Sequence, residues 1–337
     1  MERMDRIIAR LTASDHLLIA SHKDPDGDAI GSLLAAGISM KALKNKRGKN
    51  GLGPTLYNES AIPAVYRFLP GVDTIDARIG HAGSFDAALI LDCSDLDRVG
   101  PGLLPIIEAT PVVINVDHHS TNTGFGDLHL VDPDACATAE IIYRLISRMG
   151  IPINAEIATA IYTGIFTDTG SFRFANTNRA AFAICDQMVG FGADPYRVAK
   201  HVYGSYSLGR IKLLNRALDS IEISDNGRLS LMTLTREMFD QTGARPEDVD
   251  GMINYARRIE DIRVAVLIQE YPNGDVGNPK QRDNSRFHVS LRSDGIVDVS
   301  RIAALFGGGG HKSAAGFTVQ TDITDIKNGM MALANGL

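Results

Sequence analysis

The chain has 337 residues, more than one hydrophobic core usually serves, so two domains are expected. Hydrophobic residues at 44% and charged residues at 22% are ordinary for a folded soluble protein and exclude a disordered or fibrous chain. The formal net charge of -6 argues against a protein that tracks long nucleic acid, because that task calls for a basic surface neutralising many phosphates. Small phosphorylated ligands met by local charges fit better.

In chain order, the opening MERMDRIIARLTASDHLLIASH carries charge through every apolar stretch, and nothing later approaches the about 18 to 20 apolar residues of a membrane span. No membrane association is expected. Cys93, Cys136 and Cys185 are far apart and lack CxxC spacing, which argues against a disulfide framework and a structural zinc site. A reducing, cytoplasmic setting follows as the expectation.

The run His16 to Ser21 predicts a strand, followed by a loop and a helix from about Ala29 to Lys44. Asp86 to Leu91 and Pro111 to Val116 are apolar strands of the kind buried on both faces of a parallel sheet. Helices follow over about 138–149, 155–166 and 179–191, and a helix pair over 195–220 joins the halves. From Ile221 onward, strands at 228–235, 263–270 and 286–292 alternate more and predict a smaller mixed α+β domain. The polar stretch 271–285 is too long for a tight hairpin and reads as a surface loop. The expected fold class is therefore α/β: a parallel-sheet catalytic domain over 1–192, a helical linker over 193–220 and a substrate-binding domain over 221–337, with the active-site cleft between the domains.

The chemistry sits where strands end. His22, Asp26 and Asp28 lie in HKDPDGDAIGS, between a predicted strand and helix, where ligands of open α/β sheets bind. Imidazole with carboxylate suits manganese, iron or zinc better than magnesium alone. Taken alone, the motif reads equally as a solvated Asp-Gly turn with Asp28 as a helix N-cap. Asp92 after ALIL and Asp117-His118-His119 after VVINV break the tie. A buried strand has no structural need for charge at its carboxyl end, and here charge recurs at the same sheet edge. Asp168, in TDTGSF at the end of an apolar helix, opposes the helix dipole and calls for a nearby cation. In the second half, Gly307 to Gly310 precede His311 and Lys312 between helix-like and strand-like segments, which predicts an ordered turn whose amides could approach an anion.

With HKDPDGDAIGS, LDCSD, VDHHS, FTDTGSF, SLRS and GGGGHKSAAG in order along nearly its whole length, the chain closely resembles the DHH phosphoesterase superfamily, and within it the nanoRNase/pAp phosphatase group. The resemblance implies two divalent cations, manganese first, with magnesium or cobalt as alternatives. It implies that His22, Asp26 and Asp92 hold one, and that Asp28, Asp92, His118 and Asp168 hold the other, with Asp92 as the bridge. It gives His119 to the phosphate and Asp117 to orienting the histidines. Arg292, His311 and the backbone of Gly308, Gly309 and Gly310 would hold substrate phosphate or the terminal nucleotide. Cys93 reads as a small packing residue. Two departures from the family pattern concern the sequence Ala135-Cys136-Ala137-Thr138, where a Ser/Thr-rich stretch is usual, and the longer 272–285 segment.

The implied activity is two-metal, bridging-hydroxide hydrolysis of very short oligonucleotides from one end, and of adenosine 3',5'-bisphosphate. The alternative is a cyclic or linear dinucleotide phosphodiesterase, with a non-catalytic nucleotide sensor further behind. A pyrophosphatase would match the first half only, and a long-strand exonuclease would carry further binding modules. Expected partners are short oligonucleotides or nucleotide phosphates, with no long nucleic acid and no membrane, and a homodimer stays open.

Overall fold

Apolar runs too short for helices and bounded by turn residues become the strands of a sheet buried on both faces. The computed structural model describes residues 2–48, 53–79, 85–204, 206–271 and 286–337, with His311 described by its backbone alone; the 272–285 segment lies outside the described residues. The chain divides into two units, Met1–Ser205 and Tyr206–Leu337, a division that falls inside the expected 193–220 linker.

In the first unit, β1 (Leu17–Ser21), β2 (Thr55–Tyr57), β3 (Ile75–Asp76), β4 (Ala87–Leu91), β5 (Val113–Asp117) and β6 (Leu128–Val131) form one sheet in the order β3-β2-β1-β4-β5-β6. Every pairing is parallel. Its helices are α1 (Glu2–Ala13), α2 (Gly27–Lys46), α3 (Leu104–Glu108), α4 (Thr138–Arg148), α5 (Ala155–Asp168), α6 (Arg179–Gly190) and α7 (Pro195–Tyr203). One face of β1 and β4, through Leu17, Ile19, Leu89 and Leu91, packs on the helices α1, α2, α4 and α5. The other face, through Leu18, Ala20, Ala88 and Ile90, packs beneath Val99, Leu103 and Ile107. That is why these strands are apolar at every position.

The second unit has α8 (Leu208–Asp219), β7 (Glu222–Ile223), β8 (Leu229–Leu234), α9 (Arg236–Thr242), α10 (Ile253–Arg257), β9 (Val264–Glu270), β10 (Arg286–Ser293), α11 (Val299–Ala304), β11 (Gly309–His311), β12 (Ala314–Gln320) and α12 (Ile323–Leu333). Its sheet runs β11-β12-β10-β9-β8-β7, with β8 and β9 parallel and the other pairs antiparallel. The alternation expected of these strands holds for β10 but not for β8, which is buried throughout. Leu229 and Leu231 face one core, while Met232 and Leu234 face a second core under α8 and α10.

No described helix is long and apolar enough to cross a membrane. The three cysteines are free and buried. Burial raises the Cys93 thiol pKa well above its usual value, and nearby Asp92 adds to this, so Cys93 serves packing.

Candidate metal centre

The strand order reverses between β1 and β4, so the loops leaving these two neighbours diverge and open a crevice at their carboxyl ends. His22 follows β1 and is 5% exposed. Its Nδ1 lies 2.8 Å from the Lys23 carbonyl oxygen, which fixes a proton there and presents Nε2 to the crevice. Asp26, not Asp28, is the N-cap of α2: its Oδ1 accepts the Asp28 and Ala29 amides at 3.0 Å. Asp28 points inward from the first turn and is buried. Its Oδ2 accepts the Thr138 amide at 2.6 Å, and its Oδ1 accepts the Ala139 amide at 2.9 Å and the Ser32 hydroxyl at 3.1 Å.

Asp92 leaves β4 in a left-handed conformation with φ 58°, uncommon outside glycine. Its Oδ2 is 3.5 Å from His22 Nε2, and its Oδ1 is 3.8 Å from His118 Nε2. One carboxylate therefore faces two groups at once. Asp117, fully buried at the end of β5, accepts the His118 amide at 2.8 Å and His119 Nδ1 at 2.6 Å on Oδ1, and Asn122 Nδ2 at 2.6 Å on Oδ2. The same Asn122 amide reaches Asn115 and the Cys93 carbonyl, tying the ends of β4 and β5 together.

Asp168 arrives from the far side, as the last residue of α5. Its approach depends on glycines where α2 and α5 cross. A Cβ on Gly31 would stand 2.4 Å from the Ala160 oxygen, and one on Gly164 would stand 2.9 Å from Asp28 Oδ1. Asp168 Oδ2 lies 3.7 Å from His118 Nε2 and accepts Asn176 Nδ2 at 2.9 Å.

Three sets of ligand atoms result, each within 4.8 Å: His22 with Asp26 and Asp92, Asp28 with His118 and Asp168, and Asp92 with His118 and His119. Burial raises the Asp28 pKa well above its usual value, reinforced by Asp92, Asp168 and Asp26. Burial likewise pushes Asp168 up to about 7; His118 opposes the shift, while Asp26 and Asp92 add to it. Burial would lower His22, but its hydrogen bond to Asp92 and the charges of Asp92 and Asp26 raise it to about 9. Crowded carboxylates that resist ionising, beside imidazoles that hold protons, are short of positive charge. Mixed oxygen and nitrogen donors with that deficit fit divalent cations.

Several participants were not singled out from sequence: Thr138, whose hydroxyl donates to Asp92 Oδ1 at 3.0 Å, and Asn122 and Asn176. A lone Thr or Asn signals only a cap or turn until its partner is known.

In the second unit, Arg292 on β10 pairs in register with Ala314 on β12, which pairs with His311 on β11. Arg292 and the backbone position of His311 thus share one row of the sheet. The expected turn at 307–310 is ordered, with Gly307 at φ 73° and Gly310 at φ 143°. The Gly308 amide, expected to face an anion, donates instead to the Ala303 oxygen at 2.9 Å, closing the end of α11. Side chains at Gly308 or Gly310 would collide with β12 residues, whereas Gly309 borders open space.

An α/β unit with a carboxylate-imidazole cluster able to bind metal at the switch point of a parallel sheet, followed by a mixed α+β unit, defines the class of protein. Residues 16–165 match the N-terminal domain of the DHH family, and residues 230–333 match the DHHA1 domain. The chain belongs to the DHH family. It is 33% identical over 307 residues to the bifunctional oligoribonuclease and PAP phosphatase NrnA of Thermus thermophilus, covering 90% of this chain and 84% of that one. It is 23% identical to the Bacillus subtilis protein of the same description, over 93% of this chain and 92% of that one. The solved structure of an exopolyphosphatase-related protein from Bacteroides fragilis superimposes with a TM-score of 0.86 at 27% identity, covering 99% of this chain and 96% of that one.

Proposed function

We propose that the chain is a phosphoesterase that hydrolyses very short oligonucleotides and adenosine 3',5'-bisphosphate. The observation that carries the reading is Asp92, whose two oxygens face different ligand sets at the switch point of the sheet. In this reading His22, Asp26 and Asp92 hold one divalent cation, and Asp28, Asp92, His118 and Asp168 hold a second, with manganese favoured by the mixed donors. Bound there, the cations supply Lewis acidity toward the scissile phosphate and a water of lowered pKa.

The chain's own residues supply the rest. Asp117 keeps the His119 proton on Nδ1 at 2.6 Å, which leaves Nε2 to meet the leaving oxygen. Burial would lower the His119 pKa, but the hydrogen bond to Asp117 and the charge of Asp92 raise it, which suits a proton donor near neutral pH. We assign substrate anchoring to Arg292, whose planar guanidinium can grip a phosphate through two hydrogen bonds, and to the Gly309–His311 strand, which lies across β12 from it in the same row of the sheet.

The test is a turnover panel of adenosine 3',5'-bisphosphate, oligonucleotides of increasing length, linear and cyclic dinucleotides and pyrophosphate, each with manganese and with magnesium. Turnover of the bisphosphate and the shortest oligomers, falling steeply with length, is expected. Equal or faster cleavage of long strands would refute the short-substrate reading, and turnover confined to cyclic dinucleotides would reassign the enzyme to them.

A further inference from the structure

We propose that Thr138 is a positioning residue that holds Asp92 as the bridge between the two cation groups; the inference rests on the two-cation reading above. Thr138 opens α4 and is fully buried. Its backbone and side chain do different work. The amide donates to Asp28 Oδ2 at 2.6 Å, and the hydroxyl donates to Asp92 Oδ1 at 3.0 Å. One residue therefore touches a carboxylate of each ligand set.

The helix-cap explanation accounts for the amide and not for the hydroxyl. The N-cap of α4 is Ala137, which offers no capping side chain, and Asp28 supplies the cap by accepting the Thr138 and Ala139 amides. Any residue at 138 would keep that amide bond. The hydroxyl instead reaches a carboxylate 46 residues away in sequence.

Its effect follows from the acceptor capacity of a carboxylate. Each oxygen has about two lone-pair directions. Asp92 Oδ2 faces His22 Nε2 at 3.5 Å, while Oδ1 faces His118 Nε2 at 3.8 Å and His119 Nδ1 at 3.7 Å and also accepts the Thr138 hydroxyl. With one direction of Oδ1 taken by Thr138, Oδ1 is held on the side of His118 and His119 while Oδ2 is left to the side of His22. Without the hydroxyl, a buried carboxylate on a left-handed residue is freer to turn both oxygens toward one side, which removes the bridge. The segment ahead of α4 is braced for this purpose: Glu140 accepts the Cys136 amide at 2.9 Å and pairs with Arg144, and the Ala135 oxygen lies 3.3 Å from His118 Nδ1.

Thr138→Val removes the hydroxyl at nearly constant shape, and Thr138→Ser keeps it without the methyl. Metal-free full-length protein of each is titrated with Mn2+ by calorimetry, followed by electron paramagnetic resonance for spin coupling between paired ions and by a melt of the metal-free form. Wild type is expected to take up two ions with a coupled signal. Thr138→Val is expected to weaken one binding step by about 10- to 100-fold, the range for partners that orient metal ligands, to lose the coupled signal, and to lower kcat with KM little changed. Thr138→Ser should restore all three. Should the valine variant not fold, Thr138→Ala takes its place. Wild-type affinity for both ions without the hydroxyl, or a serine variant as impaired as valine, overturns the proposal. Wild-type protein binding fewer than two ions would instead bring down the two-cation reading, and this inference with it.

Discussion

Gly31→Ala tests whether the centre depends on the close crossing of α2 and α5. An added Cβ would lie 2.4 Å from the Ala160 oxygen and 3.0 Å from the Gly164 nitrogen, both backbone atoms that cannot swing aside. Carbon-to-oxygen contacts normally sit at about 3.3–3.6 Å, so the helices must separate by about 1 Å. Overpacking of this kind costs about 1–3 kcal/mol, against up to about 1 kcal/mol gained because alanine favours helix over glycine. The net loss of up to about 2 kcal/mol should lower the melting temperature of the metal-free protein by a few degrees, at roughly 2–4 °C per kcal/mol for a unit of this size. The functional loss should be larger. Asp28 rides on α2 and Asp168 on α5, and both belong to a ligand set spanning no more than 4.8 Å. A shift near 1 Å at such a site can cost about 100-fold in rate. Thermal melts and steady-state kinetics with saturating Mn2+ decide the matter. A Gly31→Ala protein as stable as wild type and fully active would show that the glycines do not set the spacing.

Asp92→Ala should abolish turnover, by at least about 100-fold, while the metal-free fold survives its melt; near-normal activity with metal supplied would refute the bridging role. Arg292→Ala should chiefly raise KM and His119→Ala should chiefly lower kcat, so an Arg292 variant unchanged in both on every substrate would remove that residue from the site. Metal removal should become more destabilising as pH rises. The folded pKa is raised above the ordinary 3.8 for Asp28 and to about 7 for Asp168, so the stability tied to their protons is full below 3.8 and lost as pH climbs through each folded pKa, about 7 in the case of Asp168. His22, raised from 6.5 to about 9, acts in the same direction at higher pH. Melting temperatures of chelator-treated protein should therefore fall from about pH 5 to about pH 9 relative to the manganese-loaded form, and a constant gap would contradict the charge crowding.

The residues easiest to read from sequence were those whose chemistry conflicts with their surroundings. Asp92 and Asp117 close apolar strands, and Asp168 ends an apolar helix, so each stood out before any partner was known. The short strands β2, β3 and β6 carry too few residues to show a period, and the dense charge of α1 hides its helical pattern. β8 does not alternate because a second core beneath α8 and α10 covers its other face, and that core leaves no trace in the strand itself. Hydrogen bonds between distant residues were equally hidden. Thr138 and Asp28 are 110 positions apart, and the cap they share is a property of the fold. The glycine run carries structural duties that its sequence does not show: the Gly308 amide serves the end of α11, and Gly310 allows the close approach of β11 to β12.

β4 carries an aspartate beyond each end, and the contrast between them separates structure from function. Asp86, before the strand, accepts the Ser14 hydroxyl and the Asp15 and His16 amides, the amides at 2.7 and 3.1 Å, while Arg10 pairs with it. Those partners outweigh its partial burial and hold its pKa below the usual value. Its charge is accounted for by pinning the end of α1 to the sheet. Asp92, after the strand, is nearly fully buried and sits in a left-handed conformation that costs on the order of 1–3 kcal/mol. Among its described partners, Thr138 donates one hydrogen bond, and the imidazoles of His22, His118 and His119 lie 3.5–3.8 Å away. Burial would raise the Asp92 pKa, but the hydrogen bond and charge of His22 and the charge of His119 hold it below the usual value, and the Asp92 charge in turn raises the pKa of both Asp28 and Asp168. A protonated His22 cannot lend its Nε2 lone pair to a metal ion. Divalent cations bound there would resolve both conflicts together, taking over the proton's charge and releasing the crowded carboxylates to ionise.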